Sequence, residues 1–218
     1  MKIGTWNLDA RWSPEHEAIL IQENCDVWLL TEVPEAAFLS GYCRHLSKER
    51  MTRGQYYAAI LSRSQQSPLK DPHAASAACV IDGVTYWSSI LPWSSCGVDT
   101  SSPWHGVKTV AEMIDNTIDQ LLKNIPTTSL VWGGDWNQNI NGGWQYVGSN
   151  GGRSLLNNAL ARLNLQVPTA SLPHRIHGFC TIDQIAVPKQ WVCGDAARIK
   201  ATNLSDHDAY TIEVSSPF

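Results

Sequence analysis

The sequence predicts an α/β domain in which two sheets pack face to face with helices outside. Three observations predict it. Short strand-like runs alternate with helix-like ones along the whole chain, and an Asp-Gly hairpin signal shows that not every strand connection is helical. A chain of 218 residues, 43% hydrophobic and only 17% charged, also has enough apolar surface for one sizeable core.

Taken in order, residues 2–8 alternate and read as a strand, and residues 14–24 carry Ile19 and Leu20 at helical spacing. Residues 26–30 form a buried strand that closes on Thr31 and Glu32, and the run YYAAILS at 56–62 is another strand. Asp82-Gly83 is a hairpin turn joining strands at 77–81 and 84–91. Residues 107–123 make the clearest helix, with Val110, Met113, Ile114, Ile118, Leu121 and Leu122 on one side. A strand at 129–133 follows, then a loop at 139–152 rich in Gly and Asn, a helix at 154–163, and strands at 181–187 and 209–214. There is no linker, low-complexity tract or short repeat, so residues 1–218 are expected to form one domain. The long loops, 93–106, 138–153 and 170–180, are where function tends to reside.

The bulk numbers exclude several classes. A formal charge of −4 gives no global basic footprint, so a polyanionic partner must be met locally or through metal ions. The six cysteines are scattered singly with no CxxC pair, which disfavours zinc and redox motifs and makes a reduced, cytoplasmic setting the simplest expectation. No stretch approaches the ~20 apolar residues of a membrane span. The N-terminus runs directly into the first strand without the pattern of a signal peptide.

The stretch VWGGDWNQN at 131–139 breaks an apolar strand with two glycines and then sets Asp135 and Asn137 two residues apart, on one face of an extended chain. Four other strands end in polar groups: TWNLD with Asn7 and Asp9, LLTE with Glu32, TIDQI with Asp183, and SDHDAY with Asp206 and His207. Any one of these alone is a turn or cap more often than a site; five together point to a shared polar mouth. Glu32 emerges from an apolar run, where a carboxylate is poorly solvated unless it faces a cation. Oxygen donors from Asn7, Asp9, Glu32, Asp135, Asn137 and Asp206 suit Mg²⁺ or Mn²⁺, and such an ion would let an acidic pocket accept a phosphate ester.

The ordered set TWNLD, LLTE, AAILSR, GGDWNQN, TIDQIAV and SDHDAY resembles the endonuclease/exonuclease/phosphatase superfamily, the DNase-I-like fold, from residue 2 to about residue 214. The resemblance implies a four-layer sandwich of two mixed β-sheets flanked by helices, with divalent-metal-dependent hydrolysis of phosphate esters at one end. It implies that Asn7 and Glu32 form the metal-site pair with Asp9 near them, and that Asp206 is a metal or water-site carboxylate. Asp135 would orient or deprotonate the attacking water, Asn137 would hold the phosphate or that water, and Asp183 would partner a protonated His207. The chain departs from the family at residues 86–93, where relatives carry a His or Tyr that Ile90 cannot replace, and at Gln184. That departure leaves three expectations open: weakened leaving-group stabilisation, substitution by His105, or a changed substrate.

For substrate, Trp93, Trp104, Trp136 and Trp144 fall in or beside the long loops and could stack bases, although loop tryptophans also serve as packing. Arg44, Lys48, Arg50 and Arg53 form a basic cluster that could track phosphates, with Lys108 and Arg153 in similar roles. The expected substrate-binding set is therefore Trp93, His105, Trp136 and Arg153. The reading is a Mg²⁺- or Mn²⁺-dependent phosphodiesterase, a nuclease on DNA or RNA, expected to act as a monomer away from membranes. The alternatives are a hydrolase of a small phosphate ester, or a catalytically silent binding module on the same fold.

Overall fold

Period-two alternation on the strands decides the architecture, because each strand must bury one side against the opposite sheet and the other against a helix. The computed structural model describes residues 1–124, 129–141 and 147–215. In chain order the elements are β1 (Lys2–Asn7), α1 (Pro14–Glu23), β2 (Val27–Val33), β3 (Cys43–Leu46), β4 (Tyr56–Ser62), β5 (Ser67–Pro68), β6 (Ser76–Ile81) and β7 (Val84–Ser89). They continue with α2 (Val110–Lys123), β8 (Leu130–Asp135), α3 (Asn150–Arg162), β9 (Leu165–Gln166), β10 (Asp183–Pro188), β11 (Val192–Ile199) and β12 (Ala209–Ser215). Two mixed six-stranded sheets result, one in the order β11-β12-β1-β2-β4-β3 and the other in the order β5-β6-β7-β8-β10-β9.

Three buried clusters define the layers. Ile3, Leu29 and Ile60 from the first sheet meet Val131, Ile185 and Tyr86 from the second, so this cluster is the filling between the sheets. Trp6, Trp28 and Leu30, the alternate residues of β1 and β2, pack outward with Leu20 of α1. Trp87, Trp132 and Ala186 pack outward from the second sheet against Leu121 of α2 and Leu156 and Leu160 of α3. The order is helix, sheet, sheet, helices, the four-layer sandwich.

Local chemistry fixes the helix ends. Pro14 opens α1 and Asn24 closes it in the left-handed region at φ 52°. Thr109 and Glu112 form a reciprocal capping box on α2, which therefore starts at Val110 rather than at residue 107. Ser149 caps α3 through the Gly152 amide, so this helix begins four residues before the apolar periodicity at Ser154. The strands the sequence did not reveal, β3, β5, β9 and β11, are the four sheet edges. An edge strand lacks burial on all sides and so shows no continuous apolar run.

Candidate active site

The inner faces of the sandwich end in a polar layer. On β1 the residues facing the opposite sheet run Ile3, Thr5, Asn7; on β8 they run Val131, Gly133, Asp135; on β10 they run Val187, Ile185, Asp183. The two-residue rhythm that fills the core thus delivers an amide and two carboxylates to one end of it. Asp135 and Asp183 are direct cross-strand partners. Asn7 lies beside Thr31 in the parallel β1–β2 pair, one residue from Glu32.

The two glycines before Asp135 are steric necessities. A Cβ on Gly133 would lie 2.6 Å from Leu29 Cδ1 across the sandwich and 2.9 Å from the Gln184 carbonyl oxygen. Gly134 has φ +125°, and a Cβ there would lie 2.2 Å from the Ser89 carbonyl oxygen. The glycines let β8 pass closely between its neighbours, so that Asp135 arrives at the mouth.

The Asn7 amide is the hub. Its Nδ2 donates to Glu32 Oε1 at 3.0 Å and to Asp135 Oδ2 at 3.0 Å, while its Oδ1 accepts from the Asp9 amide at 2.9 Å. Glu32, by alternation, belongs on the outer face with Trp28 and Leu30; a left-handed φ of 49° accompanies its turn toward Asn7. Asp135 Oδ1 accepts from the Asn137 backbone amide at 3.0 Å, and the Asn137 side chain donates to the Leu91 carbonyl at 2.9 Å. Asn137 lines the cleft with one amide hydrogen given to Leu91, and so braces the Asp135 turn.

Opposite them, His207 Nδ1 meets Asp183 Oδ2 at 2.7 Å, and its Nε2 lies 3.8 Å from both Asp135 Oδ2 and Asp206 Oδ1. The backbone of His207 is pinned on both sides, its carbonyl by the Trp6 indole at 3.2 Å and its amide by Ser205 Oγ at 3.0 Å. Burial works against charge on the imidazole, yet the Asp183 and Asp135 carboxylates outweigh it and hold the His207 pKa well above its ordinary value. Burial pushes Asp135 up to about 6, with His207 pulling against it. Burial likewise raises Glu32, with the Asn7 amide opposing. Burial also raises Asp183, again against the pull of His207.

These groups open into a cleft of about 500 Å³ that also takes in Asp9, Asp206, Arg53 and Trp93. Ligand-type atoms of Asp135, Asp183 and His207 all lie within 4.8 Å of one another. A cation in that trio would displace the imidazolium already held by Asp183, whereas Glu32 has no Lys or Arg ion pair among the described residues. The oxygens of Glu32, with Asp135 and Asp206 nearby, fit a hard dication, and Asn7, whose Nδ2 faces Glu32 and whose Oδ1 faces the Asp9 amide, would turn its amide to add an oxygen. Asp9 faces the cleft with one carboxylate oxygen paired to Arg11 at 2.9 Å.

Several expected substrate contacts are elsewhere. Trp136 is wholly buried and packs on Trp132 with centroids 4.5 Å apart, so it is core and not rim. Burying an indole of about 200 Å² is worth about 5 kcal/mol, which decides the matter. Residues 132, 134 and 136 share the outward parity, and that signal was present in the sequence. Arg153 is buried and donates from Nε to the Asn139 carbonyl at 2.9 Å, so it anchors α3 to the preceding loop. His105 is exposed and outside the cleft lining, and Ile90 is buried beside Tyr57 and Trp104. Trp104 is likewise buried, its Nε1 bonded to Thr117 Oγ1 at 2.8 Å. Arg44 is spent on the Glu35 and Ala37 carbonyls and Arg50 on Glu35 and Tyr56, leaving Arg53 of that cluster at the cleft. Trp144 lies outside the described residues. Gln184, where relatives differ, is buried and accepts from Thr169 Oγ1 at 2.9 Å. Sequence reasoning missed Gln55, which lines the cleft just ahead of β4.

No family model matches the chain, and no curated protein matches its sequence. Solved structures do match it in shape. The 3' phosphatase NExo from Neisseria, bound to a product DNA hairpin, aligns over 99% of this chain and 100% of its own at TM-score 0.65 and 18% identity. The AP endonuclease LMAP from Leishmania major aligns over 97% and 86% at TM-score 0.69 and 14% identity. An endonuclease/exonuclease/phosphatase from Beutenbergia cavernae aligns over 98% and 71% at TM-score 0.67 and 15% identity. Identities this low speak for the fold alone, and on that footing the chain has the DNase-I-like fold that these proteins share.

Proposed function

We propose that the protein is a divalent-metal-dependent phosphodiesterase acting on nucleic acid. The observation that carries this reading is the juxtaposition, at one mouth, of the Asn7–Glu32–Asp135 hydrogen-bond hub with the Asp183–His207 pair. Structural neighbours that include a DNA-bound phosphatase and an AP endonuclease support it.

Glu32 and Asn7 would hold Mg²⁺ or Mn²⁺, with Asp9 and Asp206 beside them, and the bound ion supplies positive charge that polarises the phosphoryl oxygens. Asp135, buried and raised to about 6, is a base poised near neutrality that can take the proton of a water approaching phosphorus in line. Asn137 keeps Asp135 oriented through its backbone amide. A cationic His207 places charge where negative charge accumulates on the phosphate, and Asp183 fixes its ring through Nδ1. A second reading, hydrolysis of a small phosphate ester, draws on the acidic rim, since Arg53 is the one Lys or Arg among the described residues lining the cleft.

The deciding experiment incubates plasmid, single-stranded DNA, RNA and bis-p-nitrophenyl phosphate with Mn²⁺, Mg²⁺ or EDTA, for wild type and Asp135→Asn. Metal-dependent cleavage of a nucleic acid, lost on EDTA and reduced ~10²–10⁴-fold in the variant, is expected. Turnover of the small ester alone transfers the assignment to the second reading. Absence of turnover by wild type on every substrate makes the protein a silent module on this fold, and turnover undiminished in the variant removes Asp135 from the chemistry.

A further inference from the structure

Gln55 is a buried amide without adequate partners, and it stands in the wall of the cleft. The residue is 5% exposed and lines the cleft together with Trp93 and Arg53. Its Oε1 is buried and has no hydrogen-bond partner, and its Nε2 reaches only the thioether of Met51 at 3.5 Å, a weak acceptor. An amide buried in this condition keeps its desolvation cost uncompensated, so the position is expensive unless something else completes it.

The backbone around Gln55 is built to hold it still. The Met51 amide donates to the Gln55 carbonyl at 2.8 Å, and Gly54 donates back to Met51 at 2.8 Å, closing a tight turn. Thr52 Oγ1 ties that turn to Asp99 Oδ2 at 2.6 Å, across the cleft mouth on the loop that also carries Trp93. Register places Tyr56 opposite Val33, so Gln55 falls just beyond the end of β2, opposite Pro34, and shares the cleft lining with Glu32.

The chemistry of the open valences selects the ligand. A phosphodiester offers acceptors only and cannot satisfy a free carbonyl oxygen. A nucleobase edge offers an N–H donor beside a ring acceptor, and an amide that rotates about its last bond can match that pair with both ends. Adenine, whose amino group adjoins a ring nitrogen, is the edge a Gln side chain fits bidentately. Trp93 supplies an aromatic surface on which a base can stack.

We propose that Gln55 and Trp93 form a base-reading subsite next to the scissile phosphate, selective for adenine. The inference rests on the phosphodiesterase reading and adds sequence preference to it.

The test measures kcat/KM with Mn²⁺ on oligo-dA, oligo-dC, oligo-dG, oligo-dT, oligo-rA and bis-p-nitrophenyl phosphate, for wild type, Gln55→Leu and Gln55→Glu. Wild type is expected to favour oligo-dA about 10-fold or more. Gln55→Leu should abolish that preference and leave the baseless ester unchanged. Gln55→Glu, which can only accept, keeps a bond to an amino group and loses the donor to the ring nitrogen, so its adenine preference should fall toward that of Gln55→Leu. A uniform wild-type profile overturns the proposal. So does an adenine preference that survives both substitutions, a parallel loss on the baseless ester, or an effect confined to the difference between oligo-rA and oligo-dA. If no ester is turned over by wild type, the phosphodiesterase reading has failed; if Asp135-dependent turnover persists without a Gln55 effect, only the base-reading subsite has.

Discussion

Asn7 and Asp135, 128 positions apart in the chain, share a buried hydrogen bond of 3.0 Å from the amide of one to the carboxylate of the other. The same amide nitrogen also serves Glu32, so a single side chain keeps two carboxylates at a fixed separation without neutralising either. Asn7→Leu keeps the branched outline of the side chain and removes the donor. Leaving both carboxylates short of a partner should lower the unfolding free energy by about 1–3 kcal/mol, read from the urea midpoint. A midpoint equal to that of wild type would show the hub to be incidental.

The pairing of Asp183 with His207 predicts a second outcome. Asp183→Asn removes the carboxylate that raises the imidazole most, so the His207 pKa should fall and kcat should drop ~10²–10⁴-fold with KM little changed. Steady-state kinetics, with the ring followed by histidine NMR, separates this from a binding defect.

Metal binding has a readout independent of turnover. Mn²⁺ at 100 times its dissociation constant should add about 2.7 kcal/mol to the stability of the folded protein, seen as a rise in Tm. Glu32→Gln, which removes one anionic donor from the oxygen set, should cut most of that rise. An undiminished rise would move the ion away from Glu32.

Gly134→Ala tests why the strand breaks with two glycines. The new Cβ meets the Ser89 backbone at 2.2 Å in a conformation of φ +125°, so β7 and β8 must separate. A loss of more than about 3 kcal/mol is expected, as for other backbone conflicts. Gly106→Ala, at φ +80° with nothing within 4 Å, should cost only about 1 kcal/mol. Comparable losses in the two variants would refute the steric account.

A buried histidine outside the site sets an acid limit on stability. His73 stacks on Trp104 at 5.6 Å, accepts the Ala75 amide at Nδ1, and is pushed down to about 4 by burial. Its unfolded pKa is near 6.5, so the unfolded chain binds this proton more readily. The neutral-His contribution is therefore complete above pH 6.5 and is lost as pH falls from there toward 4, on the order of 3 kcal/mol in all. In His73→Gln the fall of Tm across that window should be shallower than in wild type. Parallel profiles would assign the acid sensitivity to other groups.

The sequence by itself determined the rhythm of the fold and most of the chemistry of its mouth. Alternation in β1 was legible, as was the shared parity of Asp135 and Asn137, and the polar groups that close β1, β2, β8 and β10 stood out because an apolar strand that ends in Asn, Asp or Glu has no purpose in the core. The parity that sets Trp136 with Trp132 was also present, but the expectation of Trp136 at the rim followed its nearness to a loop, which was the weaker guide. Only the tertiary structure decided which of the polar residues touch. That one amide bridges Glu32 and Asp135, that Asp183 lies opposite Asp135 in register, and that Arg153, Arg44 and Arg50 are consumed by backbone carbonyls and neighbouring side chains are facts of sheet pairing and loop closure between distant segments. Local propensity carries no information about partners 25 to 200 positions away, and Gln55 shows the consequence: in the sequence it is an ordinary polar residue, and only its burial without a partner marks it.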